Sequence, residues 1–284
     1  MEFTSPEAEQ RYAALVRASG STIVGLDFDG TLSPIVEDPT LAHIHPEAPG
    51  VLVELASHVL AVAVITGRPA RQALALGGLD EVGDSIGDRG RELYVLGQYG
   101  NERWSSTERR VISPLPPHGL ASLLRELPGL LRRADALGAY VEEKGLAVAI
   151  HTRRLPDPGG AFARLLPLLA EAAQPRGLVV EPGRNVVEIR APGMDKGAAV
   201  HGLVADLSAG GFLFAGDDLG DVEAFNAVLE LRARGMATLL VCSASAEQHA
   251  LLELADVVVD GPPGVLDLLR QFTSDAASSS SLRA

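Results

Sequence analysis

The chain has 284 residues, 46% of them hydrophobic and 21% charged, which excludes a long disordered chain and leaves room for two modest domains or one large one. With 24 basic against 37 acidic residues the net charge is −13. That argues against nucleic acid or an anionic membrane as the main partner, because both call for a concentrated positive patch. A small anionic substrate held by a few local cations stays open. Aromatic residues make up only 4%, so the interior has to be built from Leu, Val, Ile and Ala. The one cysteine, Cys242, cannot pair within the chain, which fits a reducing compartment. No apolar stretch reaches the roughly 18 residues of a membrane span. Met1–Gln10 has early acids and no hydrophobic core, unlike a signal peptide. These features predict a cytoplasmic protein with no membrane and no nucleic-acid partner.

Short apolar runs alternate with helical patterns, which predicts an α/β protein with a parallel sheet. The first run, Ser21–Leu26, ends at Asp27. The second, Val59–Ile65, ends at Thr66-Gly67-Arg68, and the third, Glu92–Leu96, runs into Gly97. The middle of the chain predicts a helix over Leu120–Leu137, then strands Ala139–Lys144 and Leu146–Thr152 joined through Gly145. A helix over Ala161–Ala173 and strands Gly177–Glu181 and Val186–Arg190 about a Pro182-Gly183 turn follow. This repeated helix–strand–strand order reads as an α+β unit inserted into the α/β core, flanked by the polar stretch Ser105–Arg110 and a Pro192-Gly193 turn. The core resumes with helix Gly197–Leu207, strand Gly211–Ala215, helix Val222–Leu231, and strands Ala237–Cys242 and Val257–Val259. The core is therefore expected over 1–107 and 192–273 and the inserted unit over 108–191, with the serine-rich 274–284 disordered. Each core strand carries polar or glycine-rich residues at its carboxyl end, the edge where open α/β sheets bind ligands.

Asp27-Phe28-Asp29-Gly30-Thr31 follows the first run. Residues two apart on a strand point the same way, so both carboxylates face one site. Gly30 permits a sharp turn, and exposed amides nearby hold phosphate oxygens. Paired carboxylates suit phosphoryl transfer through a covalent intermediate: one attacks phosphorus, and the other protonates the departing alkoxide and then activates water. An ordinary acidic loop is the plainer alternative for so short a motif. Gly216-Asp217-Asp218-Leu219-Gly220-Asp221 places three acids in one loop, which calls for a cation, and hard oxygen ligands suit Mg2+. Asp217, nearest the strand, is the better ligand; Asp221 also suits the start of the helix Val222–Leu231. Lys196 at the start of its helix makes an anion site, although a single lysine is more often solvated. Thr66 offers a hydroxyl donor to a phosphate oxygen, and Arg68 can orient a neighbouring loop.

In this order and strand context the four motifs resemble those of the haloacid dehalogenase superfamily. Within it, Val141–Arg153 resembles the Glu-x-Lys-Gly…His-Tyr-Arg cap hairpin of trehalose-6-phosphate phosphatases. Asn185–Arg190 followed by Gly193–Gly197 resembles that family's next signature, and Asp27–Val36 also matches closely. The resemblance implies a Rossmann-like core with a parallel sheet and an inserted α+β cap that closes over the sugar. It implies a Mg2+-dependent phosphatase acting on trehalose 6-phosphate, with Asp27 as nucleophile, Asp29 as acid and base, and Thr66 and Lys196 on phosphate oxygens. Mg2+ would be held by Asp27, the Asp29 main-chain carbonyl and Asp217, with Asp218 and Asp221 acting one layer out or through water. Gly30, Thr66, Gly67 and Arg68 are expected to meet substrate in the core. Glu142, Lys144 and Glu188 are expected to bind glucose hydroxyls, and His151 to be structural. A solvated strand face is the alternative for Glu142 and Lys144. A monomer is expected, with a trehalose-phosphate synthase as a candidate partner.

The sequence departs from the family at Gly97–Arg103, where Gly-Ser-His-Gly is common, and at Gly220, where a threonine is usual. Another sugar phosphate, such as sucrose 6-phosphate or a mannosylglycerate precursor, is the nearest alternative substrate. A signalling phosphoacceptor and an inactive sugar-binding regulator are the other readings.

Overall fold

A strand covered on both faces has to be apolar throughout, and Thr22–Leu26, Ala61–Ile65 and Leu93–Gly97 are each buried along their whole length. The computed structural model describes residues 2–36, 38–183, 185–244 and 251–281. The chain divides into two units, Met1–Ile112 with Asp195–Ala284, and Ser113–Met194, against expected boundaries at 108 and 191.

The first unit opens with β1 (Glu2–Phe3), α1 (Pro6–Arg17), β2 (Thr22–Leu26), α2 (Ala48–Ala56), β3 (Ala61–Ile65), α3 (Ala70–Gly77), α4 (Leu79–Gly87), β4 (Leu93–Gly97) and β5 (Glu102–Ser105). The second unit contains α5 (His118–Arg133), β6 (Tyr140–Glu143), β7 (Ala147–His151), α6 (Pro158–Ala173), β8 (Val179–Gly183) and β9 (Val186–Arg190). The first unit then resumes with α7 (Lys196–Leu207), β10 (Gly211–Gly216), α8 (Val222–Ala233), β11 (Ala237–Ala244), β12 (Val257–Asp260) and α9 (Gly261–Ser281).

The first unit's sheet runs β1-β12-β11-β10-β2-β3-β4-β5. Its six central strands are parallel, and β1 and β5 pair antiparallel at the edges. The order reverses about β2 and β10, so β2, β3, β10 and β11 deliver their carboxyl ends to one edge, where open sheets leave a crevice. Residues from α1, α2, α4 and α9, among them Leu15, Leu52, Ile86 and Phe272, cover one face. Val200, Leu203 and Phe225 from α7 and α8 cover the other. No helix among the described residues is long and apolar enough to cross a membrane.

The second unit is a four-stranded antiparallel sheet, β6-β7-β9-β8. Strict alternation sorts its faces. Val148, Ile150, Val187 and Ile189 pack with Leu123, Leu127, Leu165 and Leu169 from α5 and α6. Glu142, Lys144, Glu188 and Arg190 point to the opposite face.

Two expectations require correction. Residues 274–281 are helical as part of α9, not disordered, and Ala276 among them is fully buried. Residues 282–284 lie outside the described residues. Pro182 and Gly183 do not form the turn but belong to β8, opposite Val187 and Val186. Proline is tolerated there because β8 is an edge strand, where a missing N–H need not break a ladder. The edge strands β1 and β5 were not expected; four residues or fewer leave too short a pattern to read.

Candidate active site

Asp27 leaves the end of β2 with its amide on the Ala215 carbonyl, 2.9 Å away, so the backbone of β10 fixes it. Its carboxylate, only 4% exposed, accepts a hydrogen bond of 2.5 Å from Lys196 Nζ. Lys196 is the first residue of α7, whose start is capped by the Asp195 side chain on the Ala198 amide, at 2.7 Å. The same ammonium donates to Asp221 Oδ1 at 2.6 Å. Asp221 Oδ2 accepts from the amides of Asp217 and Asp218, at 3.0 and 3.3 Å. Asp221 thus forms a capping box with Asp218 while its other oxygen anchors Lys196.

Carboxylate oxygens of Asp27, Asp217 and Asp221 all lie within 4.8 Å of one another. Three buried carboxylates face one ammonium, an excess of negative charge in a low-dielectric setting. Burial pushes the Asp27 carboxyl well above the usual carboxylate range, Lys196 opposes this, and Asp221 and Asp217 add to it. Burial likewise pushes Asp217 up to about 8, with Asp218 and Asp221 adding to the rise. Burial disfavours the Lys196 ammonium, but Asp221 and Asp27 outweigh it and hold the pKa well above the usual lysine value. Hard oxygen donors with surplus negative charge suit a divalent cation. Since both oxygens of Asp221 are engaged, Asp27 and Asp217 are the members of the set best placed to hold one.

Gly30 is what lets Asp217 approach. Its φ is +72°, and a β-carbon there would clash with the Asp217 carboxylate. Its amide donates to the Ser33 carbonyl at 2.7 Å, and its own carbonyl accepts from Ser243 Oγ at 2.6 Å. Ser243, 1% exposed near the carboxyl end of β11, was not singled out from the sequence. The rule that found Thr66, a hydroxyl at a strand's carboxyl end, would have found it.

Asp29 is turned toward Arg68. Arg68 Nε and Nη2 donate to its two oxygens, each at 2.6 Å. Arg68 Nη1 also donates to the Pro39 carbonyl at 2.9 Å, and its guanidinium lies 5.4 Å from the centre of the Phe28 ring. Arg68 therefore ties the loop after Gly30 to the turn after β3, as expected of a loop-orienting residue. Thr66 is 1% exposed; its hydroxyl oxygen accepts from the Arg68 amide at 3.1 Å, which leaves the hydroxyl proton to donate. Asp218 is exposed, and its side chain caps the Gly220 amide at 2.8 Å.

In the second unit, Lys144 Nζ donates to Glu188 Oε2 at 2.6 Å across the small side chains of β7. Glu188 is 7% exposed, and its Oε1 is buried with no hydrogen-bond partner among the described residues. Glu142 Oε2 lies 3.0 Å from His151 Nε2. Lys144 and Glu142 thus carry ion-pairing or hydrogen-bonding partners and do not form a plain solvated face.

A sequence model of the trehalose-phosphatase family matches residues 25–108 and 131–257. A rice protein named a probable trehalose-phosphate phosphatase is 30% identical over 300 residues, covering 96% of this chain and 76% of that one. Two Mycobacterium tuberculosis proteins named uncharacterized glycosyl hydrolases are 34% identical over 238 residues; the alignment takes in 79% of this chain but only 17% of theirs. The C-terminal domain of a C. albicans trehalose-6-phosphate phosphatase superposes with a TM-score of 0.74 at 19% identity, over 96% of this chain and 98% of that one, and so shares the fold.

Proposed function

The chain belongs to the trehalose-phosphatase family, and on that premise we propose that it hydrolyses trehalose 6-phosphate to trehalose and phosphate through an aspartyl-phosphate intermediate. Asp27 attacks phosphorus, forming an O–P bond as the bond to the sugar 6-oxygen breaks. Asp29 gives its proton to that oxygen. It then takes a proton from the water that attacks phosphorus and frees Asp27. One of its two bonds to Arg68 opens for this, and the other keeps the carboxyl oriented. Lys196 holds the Asp27 carboxylate in place and, with Thr66, binds phosphate oxygens. Gly30, Gly67 and Arg68 shape the rest of the phosphate-facing surface. Asp27, Asp217 and the Asp29 main-chain carbonyl would hold Mg2+, with Asp218 and Asp221 outside them. When bound, the ion supplies positive charge opposite the transferring oxygens.

In the second unit, Glu142, Lys144 and Glu188 bind glucose hydroxyls. The Oε1 of buried Glu188 supports this: it lies 4.0 Å from Arg190 Nε but has no hydrogen-bond partner, and a sugar hydroxyl would supply one. A monomeric cytoplasmic enzyme, working beside a trehalose-phosphate synthase, completes the proposal.

The observation that carries this reading is the buried cluster in which Lys196 holds Asp27 beside Asp217. The test is phosphate release from trehalose 6-phosphate, glucose 6-phosphate and sucrose 6-phosphate, with Mg2+ or with EDTA. Turnover confined to the trehalose ester and abolished by EDTA is expected. Equal, slow turnover of all three would sustain the chemistry and overturn the substrate.

A further inference from the structure

The hydroxyl of Ser243 meets the carbonyl of Gly30 at 2.6 Å, across 213 residues of chain. Ser243 lies in β11, one residue past the Cys242–Gly216 pair that ends the ladder with β10. That register puts it at the level of Asp217. In the sheet β10 stands between β11 and β2, so the bond to Gly30 passes over the carboxyl end of β10. It joins the two strands that flank Asp217.

Two peptide planes meet at Gly30, and each is held from outside. The Gly30 amide donates to the Ser33 carbonyl at 2.7 Å. In a trans peptide the C=O and N–H point opposite ways, so this bond turns the Asp29 carbonyl away from Ser33. The plane between Gly30 and Thr31 is held by Ser243. No main-chain amide among the described residues donates to the Gly30 carbonyl. A glycine's own side chain does nothing to restrain its backbone, so the left-handed turn at Gly30 depends on these two bonds. The Asp217 carboxylate packs where a side chain on Gly30 would stand. A rotation of this turn would therefore move the Asp29 carbonyl and the seat of Asp217 together. Hydrogen bonds one layer behind a metal's ligands fix their aim in this way.

We propose that Ser243 is a positioning residue for the divalent-cation site, holding the turn on which the Asp29 main-chain carbonyl and the Asp217 carboxylate both depend. The inference rests on the reading of Asp27, Asp217 and the Asp29 carbonyl as a Mg2+ site, and it adds β11 to the elements that shape that site.

The test compares wild type, Ser243→Ala and Thr273→Ala by isothermal titration calorimetry with Mg2+ alone, without substrate. Thr273 is a buried control: its hydroxyl donates to the Leu269 carbonyl inside α9, at 2.8 Å. Both variants are expected to melt below wild type, since each loses a buried hydrogen bond. Only Ser243→Ala is expected to bind Mg2+ more weakly, by about tenfold or more. Thr273→Ala should keep its Mg2+ Kd within about twofold of wild type. On trehalose 6-phosphate, Ser243→Ala should need correspondingly more Mg2+, with kcat at saturating Mg2+ within about threefold of wild type. An unchanged Mg2+ Kd in Ser243→Ala, equal weakening in both variants, or a loss of kcat that excess Mg2+ does not restore would overturn the proposal. A wild type that binds no Mg2+ would overturn the reading of the cluster as a Mg2+ site, and the role of Ser243 with it.

Discussion

Lys196 Nζ lies 2.5 Å from Asp27 Oδ1 and 2.6 Å from Asp221 Oδ1, with all three side chains at most 6% exposed. The lysine is therefore structural and electrostatic at once. Removing it leaves two buried carboxylates without their cation, a change that typically costs about 3–5 kcal/mol. Lys196→Met is expected to lower the melting temperature, and to lower kcat by at least about 100-fold where protein remains folded. Lys196→Arg should not rescue it, because a planar guanidinium does not fit a site built around one compact ammonium. Thermal melting and initial rates check both statements.

Arg68 grips Asp29 with two bonds and the Pro39 carbonyl with a third. Lysine at this position keeps the charge but loses the fork. Arg68→Lys is expected to lower kcat on trehalose 6-phosphate by about tenfold or more, as the acid is held less well, with KM changing less. On p-nitrophenyl phosphate, whose phenolate departs without needing a proton, the same variant should lose much less. A loss of equal size on both esters would separate Arg68 from the proton transfer.

The raised pKa of Asp217 has a consequence for stability. Its carboxyl moves from 3.8 to about 8, first through burial and then through Asp218 and Asp221. Between those values the folded chain holds a proton that the unfolded chain has released, so stability falls as pH rises through this window. The contribution is complete below 3.8 and gone above about 8. A divalent cation held by Asp27 and Asp217 would take the proton's place. Mg2+ is therefore expected to raise the melting temperature more at pH 8 than at pH 6, by differential scanning calorimetry. Asp217→Asn should flatten both the pH dependence and the Mg2+ effect.

Glu188 is buried and paired with Lys144 through one oxygen, while the other lies 4.0 Å from Arg190 Nε with no hydrogen bond. Glu188→Gln keeps the shape and removes the charge. Loss of a hydrogen bond to a charged group predicts about a tenfold or greater fall in kcat/KM on trehalose 6-phosphate. Turnover of acetyl phosphate should be unaffected, and circular dichroism should show the second unit still folded.

Much of the fold was legible because each core strand is an apolar run that ends abruptly in acids, glycine or a hydroxyl. Asp27, Thr66 and Asp217 stand out on that signal, and Lys196 on its place at a helix start. The ion pair between Asp221 and Lys196 did not, since local sequence explains Asp221 fully as a helix-start residue. Its second role arises only when α7 and α8 pack together. The clamp from Ser243 to the Gly30 carbonyl spans 213 residues and depends on strand order, which no local pattern records. The left-handed backbones of Gln98 and Tyr99 are also set from outside, by the Arg68 and Thr66 carbonyls. The serine run failed in the opposite sense: its polarity read as disorder, whereas Phe272 and Ala276 on the inner side keep α9 helical.

The most direct test of the account is to find the phosphoryl group on the chain. Rapid acid quenching during turnover of trehalose 6-phosphate, followed by peptide mass spectrometry, should place one phosphoryl group on Asp27. It should be absent in Asp27→Asn, and in Asp29→Asn it should accumulate from p-nitrophenyl phosphate, whose phenolate leaves without a proton, because asparagine cannot activate water. Turnover of trehalose 6-phosphate with no phosphoryl group on Asp27 in wild type, and none in Asp29→Asn with p-nitrophenyl phosphate, would contradict the account.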